Sequence, residues 1–197
     1  MFDTVFFDVD TQVDFLLPVG SLYVPGAEKI IPALARLYDL ARTRGIPVIA
    51  SADAHAEQDP EFRDWPPHCI EGTLGQKKVA ETLLPGAVSI PNRNGQLPDA
   101  WQKAPQVIVE KQTLDVFATA TVEVVLAEWP ARVYRVFGVV TEYCVRMAAL
   151  GLLRGGRSVE VVTDATAWLK PEDGQRALDE IVAAGGRLTT SQALAGC

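Results

Sequence analysis

The sequence predicts an α/β fold of three layers, in which helices cover both faces of a mostly parallel, Rossmann-like sheet of about six strands. Short apolar runs alternate along the chain with longer segments whose apolar residues recur at helical spacing. The chain has 197 residues, of which 48% are hydrophobic and 22% charged, and this is typical of a globular domain with a sizeable core. We therefore expect one domain over residues 1–197, built from right-handed strand–helix–strand units.

The first half of the chain is predicted to contain two strands, two helices and a long loop. Thr4–Val9 (TVFFDV) and Ile46–Ala50 (IPVIA) are short apolar runs, which favours strands. Between them, Ala27–Thr43 has apolar residues at helical spacing and ends near a glycine, a typical helix stop. The polar, proline-containing segment 51–73 is predicted to be a loop, and its length suggests a function. A short helix is expected over Gly75–Leu84.

The second half repeats the alternation of strand and helix. Further apolar runs predict strands over Val107–Val109, Val133–Val140, Val159–Thr163 and Gly186–Thr189. Segments with helical spacing predict helices over Thr121–Glu128, Tyr143–Arg154 and Pro171–Ala184. In parallel sheets of this kind, sites form outside the carboxyl ends of the strands, so chemistry is expected at that edge.

Charge and cysteine content exclude several classes of partner and location. The chain has 18 basic and 25 acidic residues and a net charge of −7, so we expect no binding to nucleic acid or to membrane surfaces. The amino terminus lacks a basic region, and no stretch reaches the roughly 18 apolar residues of a membrane span. Three scattered cysteines are too few for a disulfide framework. We expect a cytoplasmic protein, and a homo-oligomer is compatible with the sequence.

Three reactive side chains follow predicted strands. Asp10 follows the first strand, Lys111 follows Val107–Val109, and Cys144 follows Val133–Val140 at the start of a helix. A thiol at a helix start feels the positive end of the helix dipole, which favours the thiolate. Taken singly, Asp10 is equally well interpreted as a turn acid, whereas Lys111 and Cys144 are better interpreted as a surface lysine and a buried, inert cysteine. Their occurrence at one edge of the sheet favours a shared site, because chance would scatter them over both edges.

The long polar loop contains the only two histidines of the chain, His55 and His68, and Asp53 lies beside the first of them. Two imidazoles and a carboxylate can hold Zn, Fe or Mn and leave positions open for water or substrate. The alternative is a pair of surface histidines that happen to be close in the sequence. Cys69 is a candidate soft ligand or a small buried residue. Cys197 ends the chain and is expected to be exposed and functionally silent.

These motifs resemble those of the isochorismatase-like cysteine hydrolases, and within them the nicotinamidase/pyrazinamidase branch. The likeness extends over nearly the whole chain and includes Asp10–Phe15 (DTQVDF), Gly20–Ala27 (GSLYVPGA) and Gly138–Val145 (GVVTEYCV). The most specific motif is Trp65–Cys69 (WPPHC), followed by Gly72, Thr73 and Gly75 and preceded by Asp-x-His. Isochorismatases proper lack this set of metal ligands, so the resemblance indicates the metal-containing amidase branch.

The resemblance implies roles for particular side chains. It implies a catalytic triad of Asp10, Lys111 and Cys144, and one divalent metal ion per chain (Zn, Fe or Mn) held by Asp53, His55 and His68. Some nicotinamidases carry a further histidine ligand, and the best-aligned residue here is Glu61, a candidate oxygen ligand.

The resemblance also implies how the substrate is held. A cis peptide bond between Val139 and Val140 would turn backbone N–H groups, with that of Cys144, toward the substrate carbonyl. Phe15 and Trp65 match positions that sandwich a pyridine ring. The implied reaction is hydrolysis of nicotinamide to nicotinate and ammonia through a cysteine thioester, within NAD salvage.

Two departures from the family leave alternatives open. Asp8 stands where relatives usually have an apolar residue, and a second acid near Asp10 is expected to raise the pKa of Asp10. Ser89–Pro105 matches family members poorly and is a candidate wall of the pocket. The substrate is therefore alternatively another small amide, of carbamoyl or ureidoacrylate type, or isochorismate. A non-catalytic binding protein of the same fold is disfavoured because Asp10, Lys111 and Cys144 are all present.

Overall fold

Seven strands form one sheet in the computed structural model, which describes residues 1–92 and 97–196. The strands are β1 (Phe2–Val9), β2 (Val48–Asp53), β3 (Val88–Ile90), β4 (Gln106–Lys111), β5 (Ala131–Val139), β6 (Val159–Ala167) and β7 (Arg187–Thr189). Their order across the sheet is β3-β4-β2-β1-β5-β6-β7, and every neighbouring pair is parallel. The predicted fold class is confirmed, with one strand more than expected.

Helices cover both faces of the sheet. They are α1 (Val13–Leu16), α2 (Ile31–Arg44), α3 (Ala120–Glu128), α4 (Arg146–Arg154), α5 (Pro171–Ala183) and α6 (Ser191–Ala195). Because side chains alternate along a strand, Phe7 packs in the core beneath α3, α4 and α5, whereas Phe6 packs in the core beneath α2 and α6. Both rings are fully buried, which explains why β1 reads as a continuous apolar run. No helix among the described residues is long and apolar enough to cross a membrane.

The predicted helix over Gly75–Leu84 is wrong. This segment runs beside the turn that follows β1, and Lys78 forms an isolated antiparallel bridge with Gln12. The N–H groups of Val13 and Val79 bond to carbonyls across the two segments, so these backbone groups are engaged with a distant segment. Only a short 3-10 turn remains, over Ala80–Thr82.

Other differences concern short elements and strand ends. Ser51–Asp53 belong to β2, although the sequence predicted a loop from residue 51 onward. Within Ser89–Pro105, residues 89–90 belong to β3 and residues 93–96 lie outside the described part of the chain. The helix predicted from Tyr143 begins as a π-helical turn, Thr141–Val145, before α4.

Candidate active site

The ends of three strands bring Asp10, Lys111 and Cys144 together at the carboxyl edge of the sheet. Lys111 ends β4, Asp10 follows β1, and Cys144 lies in the π-helical turn after β5. The Nζ atom of Lys111 is 2.9 Å from Oδ2 of Asp10 and 3.8 Å from Sγ of Cys144. Asp10 and Lys111 have no exposed surface, and Cys144 is 6% exposed. The three residues thus form one buried cluster.

Burial controls the protonation of this cluster. It raises the pKa of the Cys144 thiol well above its usual value, against the lowering effect of Lys111, so the resting residue is a thiol. Burial also raises the pKa of Asp10, again opposed by Lys111. Although burial lowers the pKa of Lys111, Asp10 and Asp53 raise it well above normal, so this side chain stays an ammonium. Asp10 is therefore the group that can accept and return a proton.

Asp8 does not act on Asp10 in the way that the sequence suggested. Its carboxylate is buried 3.1 Å from Nζ of Lys78 and accepts a hydrogen bond from the Thr11 hydroxyl. The carboxylate that contributes to the raised pKa of Asp10 is Asp53. Pairing with Lys78 places the charge of Asp8 in a separate ion pair.

Asp53, His55 and His68 form a second cluster beside the first. Their ligand atoms lie within 4.8 Å of one another, and all three side chains are buried. Oδ2 of Asp53 is 3.8 Å from Nε2 of His55 and 3.7 Å from Nε2 of His68. Nε2 of His55 has no hydrogen-bond partner, and a buried polar atom without a partner is costly. A divalent metal ion would satisfy it, so the donor set fits a metal.

Surrounding groups orient both imidazoles. The Nδ1 atom of His68 donates to the carbonyl of Pro66 at 2.8 Å, and Nδ1 of His55 is 3.1 Å from Oδ2 of Asp59. These contacts leave both Nε2 atoms directed at Asp53, which is the usual arrangement of metal-binding histidines. Burial alone would raise the pKa of Asp53. The Lys111 charge and the two imidazoles outweigh this effect and bring the pKa of Asp53 well below its usual range, so Asp53 is ionised.

Backbone pairing explains how two histidines far apart in the loop meet. The N–H of His55 donates to the carbonyl of Cys69, and the carbonyl of His55 accepts from Glu71. His55 and Ile70 thus form an isolated parallel bridge that closes the loop. Cys69 itself is a buried residue, and burial raises the pKa of its thiol. Cys197 lies outside the described residues.

Sequence reasoning missed the roles of Gln12 and Asp14. The side chain of Gln12 bonds to both the N–H and the carbonyl of Asp53, at 2.7 and 2.8 Å. The carboxylate of Asp14 accepts from the N–H of Cys69 at 2.7 Å. An added Cβ at Gly75 would lie 2.1 Å from this carboxylate, so a glycine is required there. Both residues hold segments that carry the candidate metal ligands. The alternation of polar residues after β1 was the sequence signal that could have revealed them.

Cys144 lies on the wall of a cavity that is partly open to solvent. Its polar wall consists of Asp10, Asp53, Glu61, His68 and Cys144. Its apolar wall consists of Phe15, Leu22, Val24, Trp65, Leu114, Val139, Val140, Tyr143 and Leu169, of which Leu22, Val24, Leu114, Tyr143 and Leu169 were not expected. The Trp65 ring meets the Tyr143 ring edge-on at 5.4 Å, and the Phe15 ring is 5.4 Å from His68. The cavity thus places aromatic and aliphatic side chains beside the Cys144 thiol and the Asp53 and His68 side chains.

The backbone at the cavity floor has two special features. The peptide bond between Val139 and Val140 is cis. Gly138 has a φ of 116°, and an added Cβ would lie 2.0 Å from the carbonyl oxygen of Val9. A glycine is therefore needed where β5 passes the end of β1.

The sequence profile of the isochorismatase domain matches residues 4–193. The chain therefore belongs to the isochorismatase family, which the all-parallel fold and the buried cluster at its carboxyl edge also support. Within the family it belongs to the nicotinamidase branch and is a hydrolase of amide C–N bonds.

Three relatives document this placement. The nicotinamidase of Escherichia coli strain K12 is 27% identical over 211 residues, covering 92% of each protein. The nicotinamidase/pyrazinamidase of Mycobacterium tuberculosis is 28% identical over 194 residues, covering 93% of this chain and 96% of that protein. The crystal structure of the pyrazinamidase of Pyrococcus horikoshii in complex with zinc has a TM-score of 0.79 and 30% identity, covering 95% of this chain and 99% of that one.

Proposed function

We propose that the protein hydrolyses nicotinamide to nicotinate and ammonia, within NAD salvage. The observation that carries this proposal is a cavity whose wall includes both Cys144 and two of the three candidate metal ligands, Asp53 and His68. The reactive cysteine accounts for attack on an acyl carbon. The ligand cluster and the aromatic side chains account for recognition of a flat ring with a metal-seeking nitrogen.

The first half of the reaction follows from the buried cluster. The sulfur of Cys144 attacks the amide carbon, while its proton passes to Asp10, whose pKa is raised by burial. The N–H groups of Val140 and Cys144 hold the tetrahedral oxyanion, and one such donor is typically worth about 3–4 kcal/mol of barrier. Lys111 holds the Asp10 carboxylate in place. Asp10 then gives the proton to the departing ammonia, and a thioester remains.

The second half of the reaction returns the cluster to its resting state. Asp10 accepts a proton from water, whose oxygen attacks the thioester carbon. Collapse of this intermediate breaks the C–S bond, the proton returns to the Cys144 sulfur, and nicotinate leaves as the acid product.

Asp53, His55 and His68 would hold the divalent metal, with Glu61 as a candidate fourth ligand on the cavity wall. The metal, when bound, supplies a Lewis acid for the ring nitrogen and so orients the ring. Phe15 and Trp65, both on the cavity wall, are proposed to contact the ring faces.

The cavity wall also favours nicotinamide over the substrates of sister branches. Isochorismate, ureidoacrylate and carbamoylated amino acids all carry carboxylates, which proteins usually bind with arginine or lysine. Among the described residues that line the cavity there is no arginine or lysine. This observation supports an uncharged amide as the substrate.

Benzamide is expected to be hydrolysed with a kcat/KM at least about 100-fold below that of nicotinamide. It keeps the ring and the amide but lacks the ring nitrogen, so the ligand cluster contributes nothing to its orientation. Pyrazinamide keeps the nitrogen and serves as the positive control. Ammonia release from all three compounds measures the effect, and similar kcat/KM values for benzamide and nicotinamide would contradict the role of the metal. If the protein hydrolysed another small amide but not nicotinamide, it would instead be assigned to a sister branch of the family.

Metal content provides a separate test of the ligand cluster. Elemental analysis of the purified protein is expected to find about one divalent metal per chain, and His55→Ala and Asp53→Asn are expected to lose most of it. Asp39→Asn, which changes an exposed carboxylate, is the matched control and should keep the metal. Metal retained in both ligand variants would exclude this cluster as the site.

A further inference from the structure

Ser51 is a buried hydroxyl in a strand that is otherwise almost entirely apolar up to Asp53. It has no exposed surface, and its Oγ donates to Oδ1 of Asp10 at 2.6 Å. A buried hydroxyl is unfavourable unless it is hydrogen-bonded, and a bond to a carboxylate is among the stronger ones. The Ser51 hydroxyl therefore acts on the carboxylate that lies beside Cys144.

Ser51 contacts Asp10 at two points. Besides the hydroxyl contact, its carbonyl accepts from the N–H of Asp10 at 3.3 Å. The same carbonyl accepts from Nζ of Lys78 at 3.4 Å, which helps to hold Ser51 itself. Asp10 needs such support because its φ of 49° is unusual for a residue other than glycine.

The two oxygens of the Asp10 carboxylate have different partners. Oδ2 is 2.9 Å from Nζ of Lys111, whereas Oδ1 accepts from Ser51. Contact with Lys111 alone would leave the carboxylate free to rotate about its Cβ–Cγ bond. The second contact fixes its plane relative to the Cys144 sulfur.

We propose that Ser51 is a positioning residue for the reaction, which fixes the Asp10 carboxylate in the orientation that exchanges a proton with Cys144. The proposal rests on the role of Asp10 under the proposed function. Ser51 is not among the described residues that line the cavity, so it acts through Asp10 and not on the substrate. Its loss should therefore change kcat and leave KM unchanged.

The test compares Ser51→Ala with Ser191→Ala. Ser191 is also fully buried, and its hydroxyl donates to the Asp164 carboxylate at 2.6 Å. The Ser191→Ala variant therefore loses the same kind of hydrogen bond outside the site. We expect Ser51→Ala to lower kcat for nicotinamide at least about tenfold, because small errors in the position of a catalytic group are costly. KM and metal content should stay within about twofold, and Ser191→Ala should keep the wild-type kcat. Ser51→Thr restores a hydroxyl and should recover most of the kcat.

A kcat of Ser51→Ala within about twofold of wild type would overturn the proposal, as would a loss explained by KM or metal content. A Ser51→Thr variant with the wild-type melting temperature and no recovery would also overturn it. The Asp10→Asn variant distinguishes failure of the role proposed for Ser51 from failure of the proposed mechanism. If Asp10→Asn is inactive and Ser51→Ala is fully active, only the role of Ser51 fails; if Asp10→Asn is fully active, the proposed mechanism fails.

Discussion

Cys144→Ala is expected to reduce ammonia release from nicotinamide by at least about 10⁴-fold, to the background of the assay. The sulfur is the only nucleophile of the proposed mechanism, and alanine leaves no atom that can form the thioester. Since Cys144 is buried and its pKa is raised by burial, its removal does not unpair a charge in the resting site. The variant should therefore fold and keep its metal while losing turnover.

Cys69→Ala and Cys197→Ala are the matched controls for loss of a thiol. Cys69 is buried like Cys144 but lies outside the Asp10–Lys111 cluster, so its variant should keep most of the activity. Trapping with labelled substrate followed by mass spectrometry should find an acyl group on Cys144 in the wild type and none in Cys144→Ala. Near-wild-type turnover by Cys144→Ala would exclude the cysteine-hydrolase mechanism.

Asp10→Asn is expected to lower kcat by about 10²–10⁴-fold, the usual contribution of a general acid–base group. The amide has almost the same shape as the carboxylate, but it cannot accept the Cys144 proton or return it to ammonia. The change also leaves Lys111 with one carboxylate partner, Asp53, in place of two. KM should change less than kcat, because the loss falls on the chemical steps.

Asp164→Asn is the control, since Asp164 accepts hydrogen bonds from Ser191 away from the cluster. Steady-state kinetics of the two variants, with their melting temperatures, separates loss of proton transfer from loss of stability. If Asp10→Asn lowered kcat no further than Asp164→Asn does, another residue would have to take the Cys144 proton.

The main elements of the fold could be predicted because each is determined by local pattern. In β1, both faces are buried, so Phe6 and Phe7 are equally apolar and the strand appears as an unbroken run. The helix α2 has buried residues at helical spacing and ends at Gly45, whose φ of 65° suits a glycine. The elements that were not predicted, β3, α1 and α6, have three to five residues, too few for a periodic pattern to stand out.

The error at Gly75–Leu84 has a different physical origin. Its local pattern was compatible with a helix, but its backbone groups bond to the turn after β1. Each such bond joins segments about 65 residues apart, as in the bridge between Gln12 and Lys78. A pattern read over a short window contains no information on such partners.

The sequence by itself determined the strand–helix alternation, the family resemblance and the identity of the residues proposed for catalysis and metal binding, since all of these depend on residue type and on spacing along the chain. Only the tertiary structure decided which of these side chains touch. The order β4-β2-β1-β5 places Lys111 between Asp10 and Asp53, pairs Asp8 with Lys78, and sets Ser51 against the Asp10 carboxylate. These contacts join residues about 40 to 100 positions apart, and their geometry depends on strand order and register, which arise from packing of the whole sheet.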